Sequence, residues 1–134
     1  MNITEKNLDR KFLAFLYKDS VNDIADLFEN FIAVTPEAIV RINILLNNNY
    51  LLKASRQINR LTADLNAIGL PYLAVKLQIV AVYIDFSKLS TAKTLFKQFE
   101  SELKEYMPAV IHEYSRQSAY KHFIKIQPVR TIAI

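Results

Sequence analysis

The side chains that most often do chemistry in proteins are few in this sequence of 134 residues. Its only histidines are His112 and His122, and it contains no cysteine. A histidine metal site on a helix needs a second histidine or a glutamate one turn away, and neither histidine has one. No glutamate precedes a histidine by three residues, which excludes the Glu-x-x-His pattern of di-metal bundles, and no serine triad is indicated. We therefore interpret both histidines as surface residues and predict no metal site, no cofactor and no enzymatic activity.

A polar stripe recurs at helical spacing between residues 50 and 68, with basic residues beside it. The simplest interpretation of such a stripe is the solvated face of a bundle helix. The alternative is a binding surface. The stripe consists of Ser55, Asn59, Thr62 and Asn66, and the basic residues are Lys53, Arg56 and Arg60.

The chain is mildly basic, with a formal net charge of +4 and a pI near 9.3. Residues 38–63 and residues 116–134 each contain four basic residues and no acidic residue. Such windows favour acidic partners, although each is also compatible with a merely solvated surface. Nucleic acid is not a predicted partner, because the aromatic residues recur at the spacing of a helical core.

The sequence predicts a soluble, cytoplasmic protein without a membrane partner. Its most apolar run, residues 73–86, is interrupted by Lys76 and Gln78 and is too short to cross a bilayer. The N-terminal residues lack the basic-then-apolar order of a signal peptide.

Every long segment shows helical periodicity, which predicts an all-α fold. We expect an up-down antiparallel four-helix bundle with a short N-terminal lid helix over residues 5–17. The first bundle helix is predicted to begin after an N-cap at Ser20. The second and third cover residues 50–68 and 71–87, and the fourth begins at an N-cap at Ser90 or Thr91. Gly69, the single glycine, suits a left-handed C-cap. Residues 1–115 are predicted to form the bundle and residues 116–134 an extended C-terminal arm.

Two features leave alternatives open. Pro36 lies within the first bundle helix, which therefore either kinks there or restarts with Thr35 as its cap. The helix over residues 71–87 is apolar on nearly all sides, so it is either central or covered by a partner. Dimerisation through that helix or through the C-terminal arm is compatible with this pattern.

In order and register these features resemble the histidine-containing phosphotransfer (HPt) domain, the four-helix relay module of multistep two-component signalling. The resemblance covers about residues 7–114, and the segment "LFENFIAVTPEAI" is similar to the family's proline-containing helix. The family signature begins with the phospho-accepting histidine and ends in a leucine-glycine pair ten residues along. When Ile68 and Gly69 are aligned with that ending, Asn59 takes the place of the histidine. Leu61 then matches the residue that the signature has at its position. Thr62, Ala63 and Asp64 replace the usual lysine, glycine and serine.

The resemblance implies a degenerate HPt module that lacks its phospho-acceptor. A carboxamide does not titrate near neutral pH and does not attack an acyl phosphate, unlike an imidazole. The module would bind a response-regulator receiver domain or a hybrid kinase as a competitor, scaffold or regulator. The partner-binding residues that the resemblance implies are Ser55, Arg56, Asn59, Arg60, Thr62, Ala63 and Lys53.

The rival hypothesis is a helical-bundle interaction or ligand-holding protein that shares only the architecture. It predicts a concave or adhesive surface near the helix over residues 71–87 or near the arm. The HPt-like hypothesis instead predicts a flat, mildly basic face around Asn59, ringed by small or apolar residues. Phosphorylation of His112 or His122 is a third hypothesis, which is disfavoured because neither occupies a face equivalent to the signature.

Overall fold

A computed structural model describes residues 21–125 of the chain, with side chains from residue 24 to residue 119. This part of the chain contains four helices and no strand. The predicted helix over residues 5–17 and the Ser20 cap lie outside the described residues. The helices are α1 (Val21–Asn47), α2 (Leu51–Ala67), α3 (Pro71–Asp85) and α4 (Leu89–Lys125).

The four helices form a closed ring of antiparallel neighbours. α1 packs against α2 and α4, and α3 packs against the same two helices, so that α1 and α3 lie diagonally opposite each other. The predicted all-α fold and its four-helix bundle are confirmed for this part of the chain. Each pair of consecutive helices is joined by only three residues, and this forces the chain to reverse.

The core is built from the apolar seams that helical periodicity predicts. Phe28 and Ile42 of α1, Ile58 of α2, and Phe96 and Val110 of α4 are fully buried. Steps of three and four residues along each helix place these side chains on one face, toward the bundle axis.

The three turns are built alike, as Schellman motifs. After α2, the amide of Gly69 donates to the carbonyl of Asn66 at 3.2 Å, and the amide of Leu70 donates to the carbonyl of Leu65 at 2.9 Å. Gly69 has a φ of 85°, which confirms the predicted left-handed C-cap. Asn49 and Ser87 occupy the same position after α1 and α3, with φ of 62° and 59°.

Replacing Ser87 by glycine is expected to stabilise the protein by about 0.5 kcal/mol. The left-handed conformation costs a residue with a Cβ about 1 kcal/mol, part of which is offset by the larger unfolded-state entropy of glycine. The midpoint of urea denaturation should rise. Ser101→Gly, in the exposed interior of α4, is the matched control and should lower that midpoint, because glycine disfavours a helix. A Ser87→Gly variant that loses stability would contradict the strain assigned to this turn.

Pro36 lies inside α1, which runs through it without a restart. Thr35 therefore does not cap a new helix, although its side chain is 2% exposed and its Oγ1 has no hydrogen-bond partner. Of the two alternatives, the restart is excluded.

α4 differs from its predicted boundaries at both ends. It begins at Leu89, so Ser90 and Thr91 lie in its first turn and are not caps. It also continues to Lys125, whereas an extended arm was expected from residue 116. Local polar pairs extend the helix where the apolar seam fades: the side chains of Arg116 and Gln117 donate to Glu113 at 2.8 and 2.7 Å. The remainder of the predicted arm, residues 126–134, lies outside the described residues.

Candidate docking face

The outward side of α2 carries the polar residues that the sequence singled out. Because the seam of α2 is buried against the other helices, the residues on its opposite side are presented to solvent. We call this surface the α2 face. Its exposed residues are Leu52, Lys53, Arg56, Asn59, Arg60, Ala63 and Asn66.

Asn59 lies near the middle of the α2 face. It directly follows the fully buried Ile58, and its own side chain is exposed. Arg56 lies about one turn before it and Ala63 about one turn after it, so all three share one side of the helix. A partner that approaches Asn59 would therefore meet a cation on one side and a small side chain on the other.

Two residues predicted to bind a partner are less accessible than the stripe pattern indicates. Thr62 is 7% exposed, and its hydroxyl donates to the carbonyl of Ile58 at 2.8 Å. Its polar group is thus satisfied within α2, and its side chain does not contribute to the α2 face. Ser55 is half-buried.

A groove of about 360 Å³ separates α1 from α2 alongside this face. Arg41 of α1 and Arg60 of α2 both line it, and Arg41 donates to the side-chain carbonyl of Gln57 across the groove at 3.5 Å. The sequence placed Arg41 in the acid-free window but did not place it next to α2. The structure therefore enlarges the candidate site from one helix to two.

Acidic side chains moderate the positive charge of the groove. Glu37 and Asp64 line it together with the two arginines. Partial burial raises the pKa of the Asp64 carboxyl, while the neighbouring Arg60 guanidinium opposes that rise. The carboxylate nevertheless keeps the groove from being a simple anion site, since it repels a phosphoryl group.

α1 carries exposed apolar residues near the groove, of which Val34 lines it. Val34, Val40 and Ile44 are 37%, 58% and 54% exposed. Pro36 and Leu45 join Val40 and Ile44 in lining a second, shallower depression on the outer side of α1. Basic, amide and apolar groups thus lie side by side, a mixture that suits a protein–protein contact better than catalysis.

The described residues contain no cluster of side chains suited to a metal ion. His112 is exposed on α4, as expected, and the side chain of His122 lies outside the described residues. Within residues 21–125, no helix combines the length and the apolar character that crossing a bilayer requires.

Comparison with known proteins adds no assignment. No family model matches the sequence, and neither does any curated protein or solved structure.

Proposed function

We propose that this chain is an HPt-like module of the cytoplasm that binds a receiver domain, free or within a hybrid kinase, without carrying phosphate. The observation that supports the proposal is the exposure of Asn59 at the middle of the α2 face. The resemblance gives this position to the family's histidine. The amide can accept and donate hydrogen bonds but cannot act as the nucleophile. The module then competes for the receiver, or holds it, rather than relaying phosphate.

The composition of the surroundings supports docking. Lys53, Arg56 and Arg60 are exposed on α2, and Arg41 is exposed on α1. The phosphorylation site of a receiver is an acidic pocket in the resembled systems, so this charge would complement its rim and speed association. The apolar side chains on α1 would supply the part of the contact that excludes water.

A nuclear magnetic resonance titration of the labelled chain with receiver domains from its own genome tests the proposal. Shifts are expected at Arg56, Asn59, Arg60 and Ala63. Arg56→Glu should weaken binding at least tenfold and reduce its salt dependence, because it places a like charge against the acidic rim. Lys97→Glu, at an exposed position of α4, is the control and should bind like the wild type. Absence of binding to every receiver, or equal losses in both variants, would refute the proposal.

The rival function, an interaction protein that shares only the architecture, is favoured by a separate observation. Four apolar side chains of α3, together with Phe86 at its C-cap, are exposed along one stripe, on the helix where that hypothesis expects an adhesive surface. In the same titration, shifts confined to α3 would favour the rival.

A further inference from the structure

The outer face of α3 is more apolar than a solvent-facing helix usually is. Its inner side supplies the core, and its outer side exposes apolar residues at alternating steps of three and four. We call this set the α3 stripe. It consists of Tyr72, Val75, Ile79 and Val82 of α3 and of Phe86 at its C-cap, and their exposed fractions range from 43% to 71%.

We propose that the α3 stripe is the interface of a homodimer in which two α3 helices pair antiparallel about a two-fold axis near Ile79. This inference does not rest on the proposed function, because α3 lies diagonally opposite α1 in the bundle. A receiver bound to the α1–α2 side and a second copy bound to α3 would use different surfaces.

The order of residues along the stripe makes it self-complementary. An aromatic residue stands at each end, Tyr72 and Phe86, and the three residues between them are all β-branched. When two such helices run antiparallel, the Tyr72 end of one meets the Phe86 end of the other, and the middle residues meet each other. A two-fold interface requires this correspondence, since the same patch serves both partners.

The two charged residues of α3 lie outside the stripe and do not interrupt its apolar side chains. The charged residues of α3 are Lys76, toward its N-terminus, and Asp85, at its C-terminus. Lys76 is already held beside the stripe by Glu102 at 2.8 Å, and its Nζ lies 5.3 Å from the centre of the Tyr72 ring.

The exposed area is sufficient for a weak, specific dimer. Given the sizes of aromatic and branched side chains, the stripe presents roughly 500 Å² of surface per chain. Two stripes and their flanks would bury on the order of 1,000 Å², which is in the range of weak interfaces and below the roughly 1,200 Å² of stable ones. The exposed apolar residues of α1 are less suited to self-association, because the charged Glu37 and Arg41 lie among them.

Sedimentation equilibrium of the full chain tests the inference. The wild type is expected to dimerise with a dissociation constant in the micromolar range. Ile79→Lys should raise this constant at least 30-fold, because it places two cations at the axis. Val40→Lys introduces the same charge at an exposed position of α1 and should leave the dimer intact. A wild type that stays monomeric at about 200 μM, or equal losses in the two variants, would overturn the inference.

Two further variants separate a broken interface from a broken fold. An equimolar mixture of Ile79→Lys and Ile79→Glu should recover the dimer, since opposite charges then meet at the axis. The chain has no cysteine, so introduced thiols report geometry directly. Oxidation should cross-link Tyr72→Cys to Phe86→Cys in a mixture but link neither variant to itself. Self-linking of Tyr72→Cys would indicate a parallel pair and refute the proposed symmetry.

Discussion

Asn59→His is expected to turn the chain into a phospho-acceptor when it is mixed with a phosphorylated receiver that binds it. An imidazole nitrogen at this exposed position can attack the phosphorus of the receiver's aspartyl phosphate. The P–N bond forms, the bond from phosphorus to the carboxyl oxygen breaks, and the imidazole proton leaves to solvent. The amount of transferred phosphoryl label that is acid-labile and alkali-stable should be at least tenfold higher on the variant than on the wild type.

The same experiment has a control on the same helix. Asn66 is also an exposed asparagine of α2, two turns further on, so Asn66→His should remain unlabelled. Adding Asp64→Asn to Asn59→His should speed labelling several-fold, because it removes a carboxylate that repels the incoming phosphoryl group. If a receiver binds Asn59→His but transfers no phosphate to it, the assignment of Asn59 to the histidine position is wrong.

Much of the bundle could be predicted because three of its four helices have an apolar, buried side and a polar, solvated side. The seams of α1, α2 and α4 stand out against polar neighbours, and three-residue turns leave few ways to connect consecutive helices. The left-handed conformation of Gly69 could be predicted because glycine is the residue that most readily adopts a positive φ. Asn49 and Ser87 adopt the same conformation but carry no such distinctive signal.

The sequence could not divide α3 into a buried and an exposed side. Leu77 is fully buried and Ile79 is 43% exposed, yet both are large and apolar. Periodicity needs a contrast between polar and apolar positions, and this helix offers almost none. Which residues of α3 are buried depends on the side of the helix that contacts α2 and α4. That side is set by the rotation of the packed helix about its own axis.

The docking face was predicted in part for a similar reason. Residues on one helix, such as Arg56 and Asn59, follow from spacing alone. The approach of Arg41 to Gln57 depends on the axial register of α1 against α2, which spacing within one helix does not contain. Thr62 shares the spacing of the stripe but bonds to the carbonyl four residues before it. A hydroxyl has that option in any helix, so its inward position is a result of packing.

Phe96→Ala is expected to cost about 3–5 kcal/mol of unfolding free energy, a large share of the 5–15 kcal/mol typical of a domain. Phe96 is fully buried, and its ring stacks on that of Phe99 with centroids 5.7 Å apart. Truncation removes apolar contacts and leaves a cavity that rigid helices fill only in part. The melting temperature should fall by at least about 10 °C.

Phe86→Ala is the matched control, because it makes the same substitution at a side chain that is 71% exposed. Measured at a concentration where the chain is monomeric, its unfolding free energy should change by less than about 0.5 kcal/mol. At higher concentration Phe86→Ala should weaken self-association, whereas the effect of Phe96→Ala on stability should be present at any concentration. Equal losses of unfolding free energy in the two monomeric variants would contradict the burial of Phe96. A Phe86→Ala variant that dimerises like the wild type would show that Phe86 does not belong to the α3 interface.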